Sequence, residues 1–265
     1  MTATTLPATG ATTPPGRKKI LNSAIGIFGE LLITVGIILL LFVAWQLWWT
    51  NIAANNTQKA AVDSLIQEFK TPAGPATDSE AAPEERVIPD YDPQNPPTVT
   101  APAYGQAYGV VYIPRLGENY YRPLAEGVGS DVLDTLGLGR YPDTQMPGEK
   151  GNFALAGHRQ TNGAVLDRID ELQNGDNIYI QTKEGFFTYR VYEHKIVLPT
   201  QVEVIAPNPD APEAPLEEAQ RRLLTLTSCH PRYGDTERYI VHAEFVGWQP
   251  NEAGAPSEIA HLASS

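Results

Sequence analysis

Cysteine is nearly absent from this chain: Cys229 is the only one among 265 residues. A single cysteine excludes an internal disulfide and a paired-cysteine metal clip. Basic residues are also scarce, with 19 Lys and Arg against 31 Asp and Glu, for a net charge of −12. That balance excludes the basic footprint a nucleic-acid partner requires. No internal repeat occurs, which excludes a solenoid or a propeller. Long hydrophobic runs are missing from all but one place.

That one run, LLITVGIILLLFVAWQLWW, fills 31–49, and only Thr34 and Gln46 in it are polar. As a helix it would span ~28 Å, close to the hydrocarbon thickness of a bilayer. The apolar texture begins near Ile20, which predicts a tilted span or an interfacial first turn. Arg17, Lys18 and Lys19 precede it, and no Lys or Arg follows until Lys59. The charge asymmetry predicts a cytoplasmic tail over 1–19, a single-pass signal anchor over 20–49 and an extracytoplasmic remainder. A cleaved leader fits less well, because the apolar stretch is too long and its WQLWW end has no small-residue cleavage site. Glu30 lies at the cytoplasmic boundary of the span, where a carboxylate reaches water.

Residues 50–103 read as an extracytoplasmic linker. Within it, 59–70 (KAAVDSLIQEFK) places Val62, Leu65, Ile66 and Phe69 at helical spacing, which predicts a short amphipathic helix or an exposed, frayed spacer. Prolines 72, 75, 83, 89, 93, 96, 97 and 102 then predict a semi-extended tether. From about Tyr104 short β-rich runs follow one another: 108–113, 152–157, 177–182, 186–198, 223–228 and 238–246. Gly, Pro and Asn separate them. A helical stripe is expected in 164–172, from Val165, Leu166, Ile169 and Leu172, and 216–224 starts with a helical pattern before running into a strand. The fold class predicted over 104–250 is mainly β, a closed barrel of about eight strands with short helices. Residues 251–265 read as a polar, disordered tail.

Outside the cytoplasm a lone thiol is buried and inert, joined to another molecule, or reactive. Three features favour the last. Cys229 ends the run TLTSC and precedes His230 and Pro231, so it sits where a strand gives way to a loop. Arg238 opens the next strand, eight loop residues later, where a hairpin returns it toward Cys229; a permanent cation stabilises a thiolate or a developing oxyanion. His158 ends NFALAGH, another strand exit, and an imidazole is the natural acid–base partner of a thiol.

These residues carry a resemblance. TLTSC (225–229) with Arg238 in RYIV, together with GNFALAGHR (151–159), resembles the signature of the sortases, membrane-anchored cysteine transpeptidases. IPRLG (113–117), GRYPDTQMPGEKGNFALAGHR (139–159) and CHPRYGDTERYIV (229–241) are most similar to the class E branch of actinobacteria. The resemblance covers about 105–250 and departs at Ser228, where the family pattern TLxTC has threonine. It implies that Cys229 is the nucleophile, attacking the Thr–Gly bond of a sorting signal near the C-terminus of a secreted protein. It implies that His158 moves the proton of the leaving and incoming amines, and that Arg238 holds the oxyanion. An amine of a peptidoglycan precursor would resolve the thioacyl enzyme, with no cofactor and no metal. Class E members favour LAxTG-like over LPxTG motifs, and Tyr141 in GRYP occupies the position tied to that preference; a tyrosine that only packs is the alternative. Thr227 and Ser228 would line the substrate site.

The remaining histidines have plainer readings. His230 neighbours the nucleophile but points to the opposite side in an extended chain, while His242 shares a face with Arg238 and either supports it or packs. His194 reads as strand surface and His261 as part of the tail. LPATG at 6–10 matches a sorting string, but its basic residues precede the apolar helix and the charge rule leaves it across the bilayer from Cys229. Two rivals remain. An L,D-transpeptidase would carry arginine directly after the cysteine, where this chain has His230 and Pro231. An anchored, non-catalytic module binding metal through His158, Cys229 and His230 lacks the usual four ligands.

Overall fold

Alternation between large apolar and smaller or polar side chains sets the strands, and their pairing closes them on themselves. The computed structural model describes residues 17–70 and 90–263. Eight strands are present among the described residues: β1 (Ala107–Tyr112), β2 (Tyr121–Glu126), β3 (Leu138–Arg140), β4 (Gly151–Gly157), β5 (Asn177–Thr182), β6 (Gly185–Val197), β7 (Arg222–His230) and β8 (Glu237–Gln249). They form a closed barrel in the order β1-β2-β3-β4-β7-β8-β6-β5. Closure leaves no free sheet edge. β2 pairs with β3 and β4 pairs with β7 in parallel; all other neighbours are antiparallel.

The barrel interior is filled by Val111, Leu124, Leu138, Phe153, Leu155, Ile178, Ile180, Phe187, Tyr189, Leu224, Leu226, Val241 and Ala243. The stripe Val165, Leu166, Ile169 and Leu172 joins this core, yet no α-helix forms there. Only a 3-10 turn, Ile169–Glu171, is present, because the segment enters through three successive left-handed residues, Asn162, Gly163 and Ala164. Those conformations break a helix before it starts. The start of 216–224 is likewise a 3-10 turn, Leu216–Glu218, which gives way to β7.

Helix α1 runs Arg17–Lys70, and two compact units divide at Trp48 and Trp49. In the first unit, Ile25–Trp45 is long and apolar enough to cross a membrane, with its large apolar side chains exposed. In the second unit, the end of α1 is the amphipathic helix expected over 59–70, and it is not frayed. Val62, Leu65 and Ile66 are buried on the outer face of the barrel, against Val110, Tyr112, Tyr179 and Phe186.

Two boundary expectations are corrected here. The linker assigned to 50–103 is not uniformly a tether, because 90–103 lies on the barrel. Trp248 donates from Nε1 to the Asp92 carbonyl at 2.8 Å and stacks edge-on with Tyr91, while Val99 is buried in the core. The tail 251–265 is ordered through Ala263. Its 3-10 turn Ser257–Ile259 and helix α3 (Ala260–Ala263) bury Ile259 and Leu262 in the same cluster as Val62 and Leu65. Tyr179 also donates to Glu258 at 2.5 Å. Two apolar residues three apart suffice once a barrel face offers apolar partners. LPATG at 6–10, most of the cytoplasmic tail and 71–89 lie outside the described residues.

Candidate active site

Three strands deliver the predicted trio to one end of one face. In β4 the inward residues are Phe153 and Leu155, so Asn152, Ala154 and Ala156 face out, and His158 continues that set one residue beyond the strand. In β7, Leu224 and Leu226 face in; Thr225, Thr227 and Cys229 face out. In β8, Val241 and Ala243 face in; Arg238, Ile240 and His242 face out. Cys229 and Arg238 are direct register partners across β7 and β8, which sets their Cα atoms about 5 Å apart. β4 runs parallel to β7 with Ala156 opposite Thr227, so the chain leaves β4 at His158 beside Cys229. The thiol is free and half-buried.

The histidine has a partner that sequence reading missed. His158 Nε2 lies 2.6 Å from Oδ1 of Asp134, the residue that ends helix α2 (Ser130–Leu133) between β2 and β3. A carboxylate there orients the ring. Nothing in the local sequence marks Asp134, which lies 24 residues upstream of the histidine. Arg238 donates from Nη1 to the carbonyls of Asp235 and Glu237 at 2.7 and 2.9 Å. Its Nε and Nη2 have no acceptor among the described residues.

A second missed residue is Arg159, whose side chain is 1% exposed. It pairs with Asp170 at 2.9 Å, reaches the Cys229 carbonyl at 3.3 Å and His230 Nδ1 at 2.9 Å, and lies over the Tyr239 ring. A buried guanidinium with these partners braces the backbone that carries the thiol. It also occupies His230, whose ring faces a cation and not the thiol. The only sequence signal for Arg159 is its place directly after His158. Arg232 of the β7–β8 loop pairs with Asp167 of the loop after β4, tying the two walls together.

The predicted substrate residues divide. Tyr141 bonds through its hydroxyl to Thr227 Oγ1 at 3.0 Å, and its N–H donates to the Ala154 carbonyl. Both therefore sit on the outward floor that leads to Cys229. Ser228 does not: alternation turns it the other way, and its Oγ donates to the Gly157 carbonyl at 2.8 Å, joining β7 to β4. That hydroxyl joins the two strands, a role it performs with or without the extra methyl. A second wall begins at Val197, the register partner of Arg238, and continues through 198–221. Asn152 Nδ2 holds this wall by donating to the Val204 and Ala206 carbonyls. Leu198 and Val202 remain exposed on it.

His242 packs, and does not reach Arg238. It is fully buried, bonds Thr225 Oγ1 at 2.9 Å and stacks on Tyr192; burial pulls its pKa down to about 4. His194 is half-buried, and burial lowers its pKa as well. His261, in the tail, lies 3.0 Å from the Glu118 carbonyl.

Comparison with known proteins identifies the family. A sortase-domain family model matches residues 111–246. The sortase SrtE1 of Streptomyces coelicolor is 32% identical over 92% of this chain, which spans 63% of that relative's length. Among solved structures, the SrtA sortase from Actinomyces oris is 42% identical with a TM-score of 0.59, over 62% of this chain and 93% of that one. Sortase E from Streptomyces avermitilis is 40% identical with a TM-score of 0.53, over 59% and 99% of the two chains. The chain belongs to the sortase family of cysteine transpeptidases.

Proposed function

We propose that this protein is a membrane-anchored transpeptidase that cuts the Thr–Gly bond of LAxTG-like or LPxTG-like sorting signals on secreted proteins and joins them to a peptidoglycan precursor amine. The observation that carries the reading is the direct pairing of Cys229 with Arg238 beside the strand exit that bears His158. The Cys229 thiolate attacks the threonine carbonyl carbon, forming a C–S bond and an oxyanion. The free Nε and Nη2 of Arg238 face that charge and stabilise it. The C–N bond then breaks as the imidazolium of His158 gives its proton to the departing glycine amine. A thioester remains. An incoming amine attacks it, His158 takes the extra proton, the C–S bond breaks and the thiolate returns.

Asp134 keeps the imidazole oriented toward the reacting amine. Tyr141 and Thr227 line the approach, and Tyr141 favours alanine over proline at the second motif position. The basic residues before the apolar helix support a cytoplasmic N-terminus and an extracytoplasmic barrel. An LAxTG peptide incubated with an amine tests the reading: the wild type forms the new amide and Cys229→Ala forms none, with the same Tm. Full turnover by Cys229→Ala overturns it.

A further inference from the structure

The acid–base pair of the site, His158 and Asp134, is reached from behind by the juxtamembrane end of α1. Asn51 Oδ1 accepts from the Gly163 N–H at 2.9 Å, and Gln58 Nε2 donates to the Asn162 carbonyl at 3.1 Å. Both contacts fall on the turn that follows His158, and they bridge 112 and 104 residues of chain. That same turn closes back on the histidine, since the Leu166 N–H donates to the His158 carbonyl at 2.9 Å.

Gln58 touches the other arm of the pair as well. A Cβ added at Gly163 would meet its amide at 2.7 Å, and one added at Gly137 would meet it at 2.9 Å. Gly137 follows Asp134 by three residues, and both glycines have positive φ, 88° and 90°. The two turns thus approach Gln58 where only glycine fits without strain. Gln58 is 2% exposed, and its Oε1 is buried with no partner among the described residues. An orphaned buried carbonyl is destabilising. An apolar side chain would avoid that cost, so packing alone does not account for glutamine here.

We infer that Asn51 and Gln58 are positioning residues: the helix leading out of the membrane clamps the turns carrying His158 and Asp134 and so sets the geometry of proton transfer. This rests on the reading of His158 as the acid–base group. The segment leaving the membrane is thereby part of the site's support and not merely its tether.

The test uses the full-length chain in detergent micelles, with LAxTG peptide and an amine. Asn51→Leu removes the acceptor; Gln58→Met keeps the length and apolar volume but removes the donor. Each should lower kcat roughly tenfold with KM within about twofold, as expected for a small displacement of a proton-transfer group. Gln58→Met should do so with Tm unchanged or raised. Asn51→Asp, which keeps an oxygen for the Gly163 N–H, should recover most of the loss. Wild-type kcat in both Asn51→Leu and Gln58→Met overturns the inference, as does a loss that follows Tm and is not rescued by Asn51→Asp. His158→Ala, measured alongside, separates the two ideas. If it is inactive while the clamp variants are normal, the clamp alone fails; if it turns over normally, the reading of the site fails.

Discussion

Two outer faces of this barrel are covered in different ways. On β1, β5 and β6 the outward side chains are large and apolar (Val110, Tyr112, Tyr179 and Phe186), and the end of α1 and the C-terminal segment cover them. On β4, β7 and β8 the outward residues Ala154, Ala156, Thr225 and Thr227 are small or polar and are also buried, beneath Tyr141 and the 198–221 segment with its 3-10 turns, and the face opens at its Cys229 and Arg238 end. One two-residue alternation builds both faces. Side-chain size and polarity decide whether a face recruits an apolar helix and tail or a hydrogen-bonded loop segment. At the open face, strand ends add three chemistries that no single segment holds.

The comparison breaks most readily at Arg238. Arg238→Lys keeps the charge but loses the planar fork, and turnover should fall by at least about a hundredfold with Tm unchanged. Wild-type kcat would remove arginine from the open face's chemistry. On the covered face the expectation reverses: Leu262→Ala should cost about 2–4 kcal/mol in denaturant unfolding and leave kcat per folded molecule unchanged. A silent substitution would mean that the tail does not support the barrel.

His242 offers a pH test beneath the open face. Its folded pKa of about 4 lies below the ordinary 6.5, so between these values the unfolded chain binds the proton and the native protein does not. Stability is complete above pH 6.5, falls as pH drops toward 4 and then levels off, with this group contributing at most about 3 kcal/mol. Urea midpoints between pH 7 and 4 should fall less steeply in His242→Asn; an unchanged slope contradicts the buried neutral imidazole. The smallest effect is expected at the rim. Val202→Asp should raise peptide KM by roughly 3- to 10-fold without altering kcat, because an exposed apolar wall is lost beside an apolar peptide.

The strands of six or more residues rich in apolar and β-branched side chains, β1 and β4 to β8, were legible in sequence. β2 was not, because Pro123, Arg122 and Glu126 disguise it, and β3 is only three residues long. Their pairing depends on the buried Arg140–Glu126 ion pair, invisible to any local pattern. Cys229, His158 and Arg238 stood out because each sits where a strand meets a loop. Asp134, Arg159, Asn51 and Gln58 did not, since each acts across tens of residues through a contact that only the closed barrel creates. The C-terminal segment reads as polar and disordered for the same reason: Ile259 and Leu262 become a stripe only when Val110 and Tyr112 lie opposite.

The central claim is that Cys229 carries the acyl group, and trapping it tests this most directly. The protein is mixed with LAxTG peptide in the absence of an amine, quenched in acid within one turnover and analysed as intact protein and as peptides by mass spectrometry. The account predicts a mass increase equal to the peptide up to threonine, located on Cys229, with one equivalent of the glycine fragment released. Cleavage without any adduct, or an adduct on another residue that persists in Cys229→Ala, would contradict it.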